Sequence, residues 1–586
     1  MNQESVESTV APERRESLVR SEPRSKGFWV PTVGSLFVFL FSCLVFAVTC
    51  SVITLPPAWR TFEFCQYAEI GRNLALEGRY DTRLVEPMAL AAIDRDSRHR
   101  EAERWPVVNR YPLPCLVIAA LMKMFGPTDL VAAWSNGIAI SLLAALAYAL
   151  ASRWYGKTWG AILAVLLLAN PAFYGEFVLI GTPDIWFAVL FLAHLAVWAR
   201  FDPRASSSTA WGWAGALALL GGLSYLARFN ATLFIGFEIL ALVCWKRWRE
   251  ASLLALVMFA FSTPLMLYNW SWFHRLSMSV YSSWNLLDDI NAYQVEPWLY
   301  YQVPDLTSML AAHLDGFSEK FTSNLFEVVP ARIWSLWRME PLLVLALLSP
   351  LLIRRPGPVR RLAYWSVGFF VLQLIIFSAM RLELESRTSP HHGRYFFWFA
   401  TPALLLSVAV LKQLSDWKRP FRWLAALVVI AQLAGSGWSW AQLVPAHRSG
   451  TNLGQDPIRR MLTDAVPPGK VIASNQPQIT AWFCGLRSIS LPANPEELAR
   501  LNEQSPTPVD YLLIDLNYNC IDLDQRWTPF VNRDPRIPSD WIPEVLRDYE
   551  YMIPARNTRP VLYVVLRRKV SPPSQWEEDF NRSNVQ

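Results

Sequence analysis

Long apolar runs constrain this chain more than any other feature. The first, "GFWVPTVGSLFVFLFSCLVFAVTCSVITL" over residues 27–55, has no charged residue and no polar face. A helix that is apolar all round must be buried, and about 20 such residues cross the hydrocarbon of a bilayer. Ten further stretches follow, near 130–152, 158–175, 184–200, 211–228, 230–245, 251–270, 341–353, 361–380, 395–412 and 421–442. The first is too long for a signal-peptide core and no small-residue cleavage site ends it, so it reads as a retained span. Composition agrees: only 17% of the 586 residues are charged, against about 25% in soluble proteins. The 28 Trp residues suit the two water–lipid boundaries. The net charge of +6 is spread along the chain and does not point to nucleic acid. Seven cysteines at 43, 50, 65, 115, 244, 484 and 520 form no CxxC and no metal pattern.

Charge fixes the expected threading. The segment "YPLPCLVIAALMKMFG", 111–126, has two prolines at its start and a lysine inside. If it does not span, the basic loops "RWYGK", "RFDPR", "KRWRE", "RRPGPVRR" and "KQLSDWKRPFR" all fall in the cytoplasm, as short basic loops do. If it spans, all five fall outside. It is therefore expected to be an interfacial or re-entrant helix, leaving about eleven spans. Residues 1–27 form a polar, disordered cytoplasmic tail, and 28–444 the multi-span domain. Residues 55–129 and the aromatic-rich 271–340 are outer loops. Within 445–586, "GKVIASN", "SISLP", "VDYLLID" and "RPVLYVVLRR" read as short buried strands and "NPEELARLNEQ" as a helix. The fold class expected is an α-helical polytopic membrane protein with a small extracytoplasmic α/β domain. Cys484 and Cys520 are the only cysteines of that domain, and an oxidising compartment allows them to pair.

Ionisable residues at the outer ends of spans need explaining, because their burial is costly. In "TFEFCQYAEIGRNLALEGRY", Glu63, Tyr67, Ile70 and Leu74 share one helical face; its bland reading is an interfacial amphipathic helix with Glu63 solvated. Asp184 in "LIGTPDIWF" stands where a span starts and can simply complement the helix dipole. Arg228 and Arg394, in "YLARFNATLF" and "HHGRYFFWF", can snorkel. The adjacent His391 and His392 do not share a helix face, so no metal is expected there. Asp94 and Asp96 form a DxD, read as a solvated loop because the threading keeps it away from nucleotide sugars.

Five separated stretches together resemble the GT-C class of integral-membrane glycosyltransferases, most nearly its bacterial protein O-mannosyltransferase-like and aminoarabinose-transferase-like members. "EFCQYAEIGRNLALEGRY" is similar to their first outer loop, with a leading acid, a Tyr four later and a helix ending at Gly. "NRYPLPCLVIAALMKMFGPTDLVAAW" resembles their proline-rich juxtamembrane helix, and "NPAFYGEFVLIGTPDIWFAVLFLAHL" the second outer loop whose Asp opens a span. "GLSYLARFNATLFIGFEIL" followed by "PLMLYNWSWFHRLSMSVYSS" resembles a mid-chain pair of spans. "HGRYFFWFATPALLL" is similar to the late "RY…P" span. The resemblance covers about residues 30–412 and keeps the order of all five.

The resemblance implies an inverting glycosyltransferase of the bacterial inner membrane, with its N-terminus cytoplasmic and its C-terminus outside. Such enzymes take a sugar from a polyprenyl-phosphate carrier in the bilayer and give it to a hydroxyl of a protein, lipid or glycan at the outer face. By motif position Glu63 falls on the catalytic acid and Asp184 on the second-loop Asp. Arg110 in "NRYP" becomes a phosphate ligand and Arg394 the late-span Arg. Tyr67 and Arg228 complete the substrate-binding set. A departing monophosphate can be neutralised by Arg alone, so neither metal nor cofactor is expected. The chain departs from the pattern in having Glu63 where the family has Asp, and Phe64 where many members have a second acid. A transporter, or an inactive member acting as a binding or assembly protein, is the alternative. Transporters favour inverted repeats and midplane polar groups, whereas these polar residues cluster at one face.

Overall fold

The computed structural model describes residues 32–52, 62–95, 104–108, 110–179, 181–201, 207–274, 276, 286, 297–301, 308, 311–354, 357–380, 393–448, 462–477, 479–515, 527, 549–551 and 563–569. The first apolar run forms α1 (Val33–Val52). Between it and the next span lie α2 (Phe62–Glu77), β1 (Asp81–Thr82), β2 (Leu84–Val85), α3 (Pro87–Asp94), β3 (Trp105–Pro106) and α4 (Pro112–Phe125). The bundle continues with α5 (Asp129–Tyr155), α6 (Lys157–Ala169) running into the π-helical turn Ala172–Leu179, α7 (Asp184–Trp198), α8 (Ser207–Ala227), α9 (Ala231–Cys244) and α10 (Trp248–Phe273). After the bent Leu314–Arg338 stretch come α11 (Glu340–Leu352), α12 (Pro358–Ser378), α13 (Phe397–Trp417) and α14 (Arg419–Arg448).

Seven described helices are long and apolar enough to cross a membrane, or nine if each of two bent pairs makes one crossing. The helices α7 and α9 fall short: 15 and 14 residues reach only about 22 Å at 1.5 Å per residue, against a core of about 30 Å. The eleven expected segments correspond one for one to the seven, the two bent pairs and these two short helices. At 14 residues α4 is as short as α9. The protein is a multi-pass membrane protein whose largest core runs through the whole bundle, while α1 and α14 show apolar side chains outward.

Four C-terminal strands lie where the apolar runs put them: β4 (Val471–Ser474), β5 (Arg487–Ser490), β6 (Tyr511–Asp515) and β8 (Tyr563–Arg568), with α15 (Pro495–Gln504) capped by Asn494; β7 (Tyr549–Tyr551) is a further strand not singled out from the sequence. Their sheet has the order β2-β5-β4-β6-β8-β7, parallel from β2 to β6 and antiparallel beyond. Its edge strand β2 comes from the segment between α1 and α5, and Met88, Leu90 and Ile93 of α3 share a core with Ile489, Leu498 and Leu512. Segment 84–94, which precedes the second span in sequence, thus packs with the C-terminal strands. A two-residue strand has no period to read, and its partner lies about 400 residues away. Asp94 is no solvated loop either: it ends α3 and accepts a hydrogen bond from Tyr301 Oη at 2.6 Å. Asp96, His391, His392 and Cys520 lie outside the described residues.

Candidate active site

Helix α2 starts at Phe62 with Glu63 in its first turn and ends at Gly78, whose φ of +68° suits the glycine beyond a helix end. The interfacial reading of this helix fails, because Phe64 to Ile70 are buried without a break. One side lies on α4, so closely at Gly71 that a Cβ there would sit 2.5 Å from Ile118 Cγ2. Phe64 fills the space over Gly181, where φ is +84° and a Cβ would come within 2.1 Å of the ring. That contact seats Glu63 beside the turn that opens α7.

Four predicted residues meet here. Asp184, the first residue of α7 and only 2% exposed, pairs with Arg228 through Oδ1 and accepts from Arg394 Nε through Oδ2 at 2.9 Å. Arg394 Nη2 donates to Glu63 Oε1 at 2.5 Å. Carboxylate and guanidinium thus alternate as Glu63–Arg394–Asp184–Arg228, drawn from four elements. Arg228 does not snorkel: it is 3% exposed, lies 5.3 Å from the centre of the Tyr395 ring, and its Nε has no hydrogen-bond partner among the described residues. Asp184 complements the dipole of α7 as expected, but its main partners are the two guanidinium groups.

Arg110 and Tyr67 stand alongside. Arg110 Nε donates to Gln66 Oε1 at 2.5 Å and its Nη2 to Glu86 Oε1 at 2.8 Å, while Tyr67 Oη accepts from the Tyr111 amide at 3.3 Å. The Tyr67 and Tyr111 rings stack at 6.4 Å. Glu63 lies outside the spanning helices, and its proton affinity records the balance. Desolvation pushes its pKa up, but Arg394, Arg110 and Arg228 together outweigh that and bring it down to about 2. Glu63 is therefore held ionised, as a counter-ion to Arg394. At Glu86 the balance reverses, and burial leaves the carboxyl above its usual value despite Arg110.

Four residues of this neighbourhood were not singled out from the sequence: Gln66, Glu86, Tyr111 and Tyr395. The only local signal was Glu86, an acid standing between a short apolar pair and a proline in "LVEPM".

No protein-family model matches the chain, and no curated protein does. Solved structures do. ArnT from Cupriavidus metallidurans, bound to undecaprenyl phosphate, superimposes with a TM-score of 0.50 at 15% identity, over 91% of this chain and 98% of that one. An Archaeoglobus fulgidus oligosaccharyltransferase, in complex with Zn and sulfate, gives a TM-score of 0.50 at 12% identity, over 88% of this chain and 71% of its own. At such identities the likeness concerns architecture. The chain has the fold of the GT-C class of integral-membrane glycosyltransferases.

Proposed function

We propose that this protein moves a sugar from a polyprenyl-phosphate carrier to an acceptor hydroxyl at the outer face of the membrane, with inversion at the anomeric carbon. The observation that carries the reading is the alternating run Glu63–Arg394–Asp184–Arg228 at one end of the bundle. It offers one carboxylate for a proton and guanidinium groups for a phosphate. The fold shared with an ArnT that binds undecaprenyl phosphate supports that donor class.

The chemistry follows from exchange of partners. Paired with Arg394, Glu63 is a weak base, because the guanidinium holds its charge. A donor phosphate entering between Arg110, Arg228 and Arg394 competes for the same guanidinium groups, and charge-assisted contacts to phosphate are strong. Drawing Arg394 away leaves Glu63 partly buried with less compensation, so its basicity rises. Glu63 then takes the proton of the acceptor hydroxyl as the oxygen attacks the anomeric carbon. The bond from that carbon to the phosphate oxygen breaks, and the electron pair leaves on the polyprenyl phosphate, stabilised by the arginines. Asp184 stays between Arg228 and Arg394 and fixes their separation.

Sugar transfer in membranes at matched protein level tests the assignment. Activity is expected to fall in the order wild type, Glu63→Asp, Asp184→Asn, Glu63→Gln, the last by about 10²–10⁴-fold as general-base catalysis is lost. Wild-type transfer by Glu63→Gln would remove the carboxylate from the mechanism. Orientation is tested separately. A cysteine at Glu503, exposed on α15, should react with an impermeant thiol reagent, and one at Lys157, exposed at the start of α6, should not. The reverse labelling pattern would turn the threading over and move the site to the cytoplasmic face.

A further inference from the structure

Arg110 is held by two residues tied to a different domain. Gln66, 1% exposed on α2, accepts from Arg110 Nε through Oε1 at 2.5 Å and donates through Nε2 to the Leu84 carbonyl at 3.1 Å. Glu86, 5% exposed, accepts from Arg110 Nη2 at 2.8 Å. Leu84 and Val85 form β2, paired in parallel with Ser488 and Ile489 of β5, and the Ser488 amide donates to the Arg83 carbonyl at 2.7 Å. Hydrogen bonds therefore run unbroken from the C-terminal sheet, through its edge strand and Gln66, to the guanidinium. Glu86 adds a second hold from the residue directly after that strand. The following helix α3 is packed into the sheet's own core, so the strand is not free to slide.

A guanidinium on a long side chain has many rotamers, and fixing two of its nitrogens removes the cost of orienting it when an anion arrives. The two holds differ in kind. Gln66 sets direction with neutral groups, while Glu86 also compensates the charge when no anion is present, which a buried cation requires. We propose that Gln66 and Glu86 are positioning residues that aim Arg110 at the donor phosphate from the edge of the C-terminal sheet, so that this domain is part of the donor site. The proposal rests on the reading of Arg110 as a phosphate ligand.

Binding of undecaprenyl phosphate to the full-length protein in nanodiscs tests it, with Arg110→Ala as the reference. Gln66→Leu and Glu86→Gln should each weaken binding about tenfold or more, the loss of one charge-assisted hydrogen bond. Glu86→Asp, which keeps the charge, should recover part of the loss. On the Arg110→Ala background the same two changes should have little further effect, since residues acting through one group are not additive. General loosening of the fold would instead add to Arg110→Ala, and Glu86→Asp would not rescue it; either result overturns the positioning role. Wild-type binding by Gln66→Leu and Glu86→Gln, with binding lost in Arg110→Ala, also overturns it while leaving the donor reading intact. Wild-type binding by Arg110→Ala removes Arg110 as a phosphate ligand, and the inference with it.

Discussion

Two polar assemblies are buried in this bundle, about 15 Å apart along the same pair of helices at 1.5 Å per residue. At the head of α7, Asp184 meets Arg228, which lies just before α9. Ten residues further along each chain, His194 Nε2 and Glu238 Oε2 meet at 2.7 Å, both completely buried. The deeper pair is the better shielded, with the Phe234 ring 4.9 Å from the imidazole and Gly221 alongside. Yet it has two members and no path for exchange. The outer assembly has two carboxylates and two guanidinium groups, with Glu63 and Arg394 side chains 19% and 15% exposed. Burial of charge by itself therefore does not mark a reacting site. What distinguishes the outer run is that its members alternate in sign and that Glu63 and Arg394 at one end are partly exposed.

The largest expected contrast is in stability. Asp184→Ala takes the carboxylate from Arg228 and one of two carboxylates from Arg394, and Glu238→Ala takes the partner of His194 Nε2, each costing about 3–5 kcal/mol as broken buried pairs do. Undecaprenyl phosphate should restore part of the loss in Asp184→Ala, because a phosphate can stand where the carboxylate stood, and none of it in Glu238→Ala. Thermal unfolding in detergent with and without the lipid reads both; equal recovery would abolish the distinction between the two assemblies.

A smaller effect is expected where the deep pair is replaced whole. His194→Leu with Glu238→Leu removes both polar partners together, and replacing a buried pair whole is often neutral or stabilising. Transfer per folded molecule should stay close to wild type. A loss as large as that of Glu63→Gln would make the deep pair part of the chemistry.

The subtlest contrast is in pH dependence. With its pKa lowered to about 2, Glu63 contributes ion-pair stability that is complete above the usual carboxylate range and lost only as pH falls toward that value. The free protein should then show no acid limb from Glu63 in kcat/KM above roughly pH 3. With donor bound and Arg394 engaged elsewhere, the limb in kcat should move to higher pH. Identical limbs in both profiles would mean that Glu63 keeps its partner throughout.

Much of the fold was legible because membrane spans announce themselves locally. About twenty apolar residues carry their own instruction, since every backbone group of a helix is satisfied within the segment. The strands of the C-terminal domain were legible for a similar reason, as short apolar runs between turn residues. The types of the site residues could also be read, because an acid or arginine at the end of an apolar run has few cheap explanations. Their partnerships could not. Glu63 looked solvated and Arg228 looked ready to snorkel, since a local window contains neither Arg394 nor Asp184, which lie 331 and 44 residues away. Gln66 and Glu86 were passed over because their meaning lies in Arg110 and in a strand paired some 400 residues along the chain. Sequence by itself determined which segments leave water and which ionisable groups travel with them, because transfer to an apolar medium depends on composition within each segment. Only the tertiary structure decided which charge faces which, because the energy of a buried charge is set by its neighbours within a few ångströms.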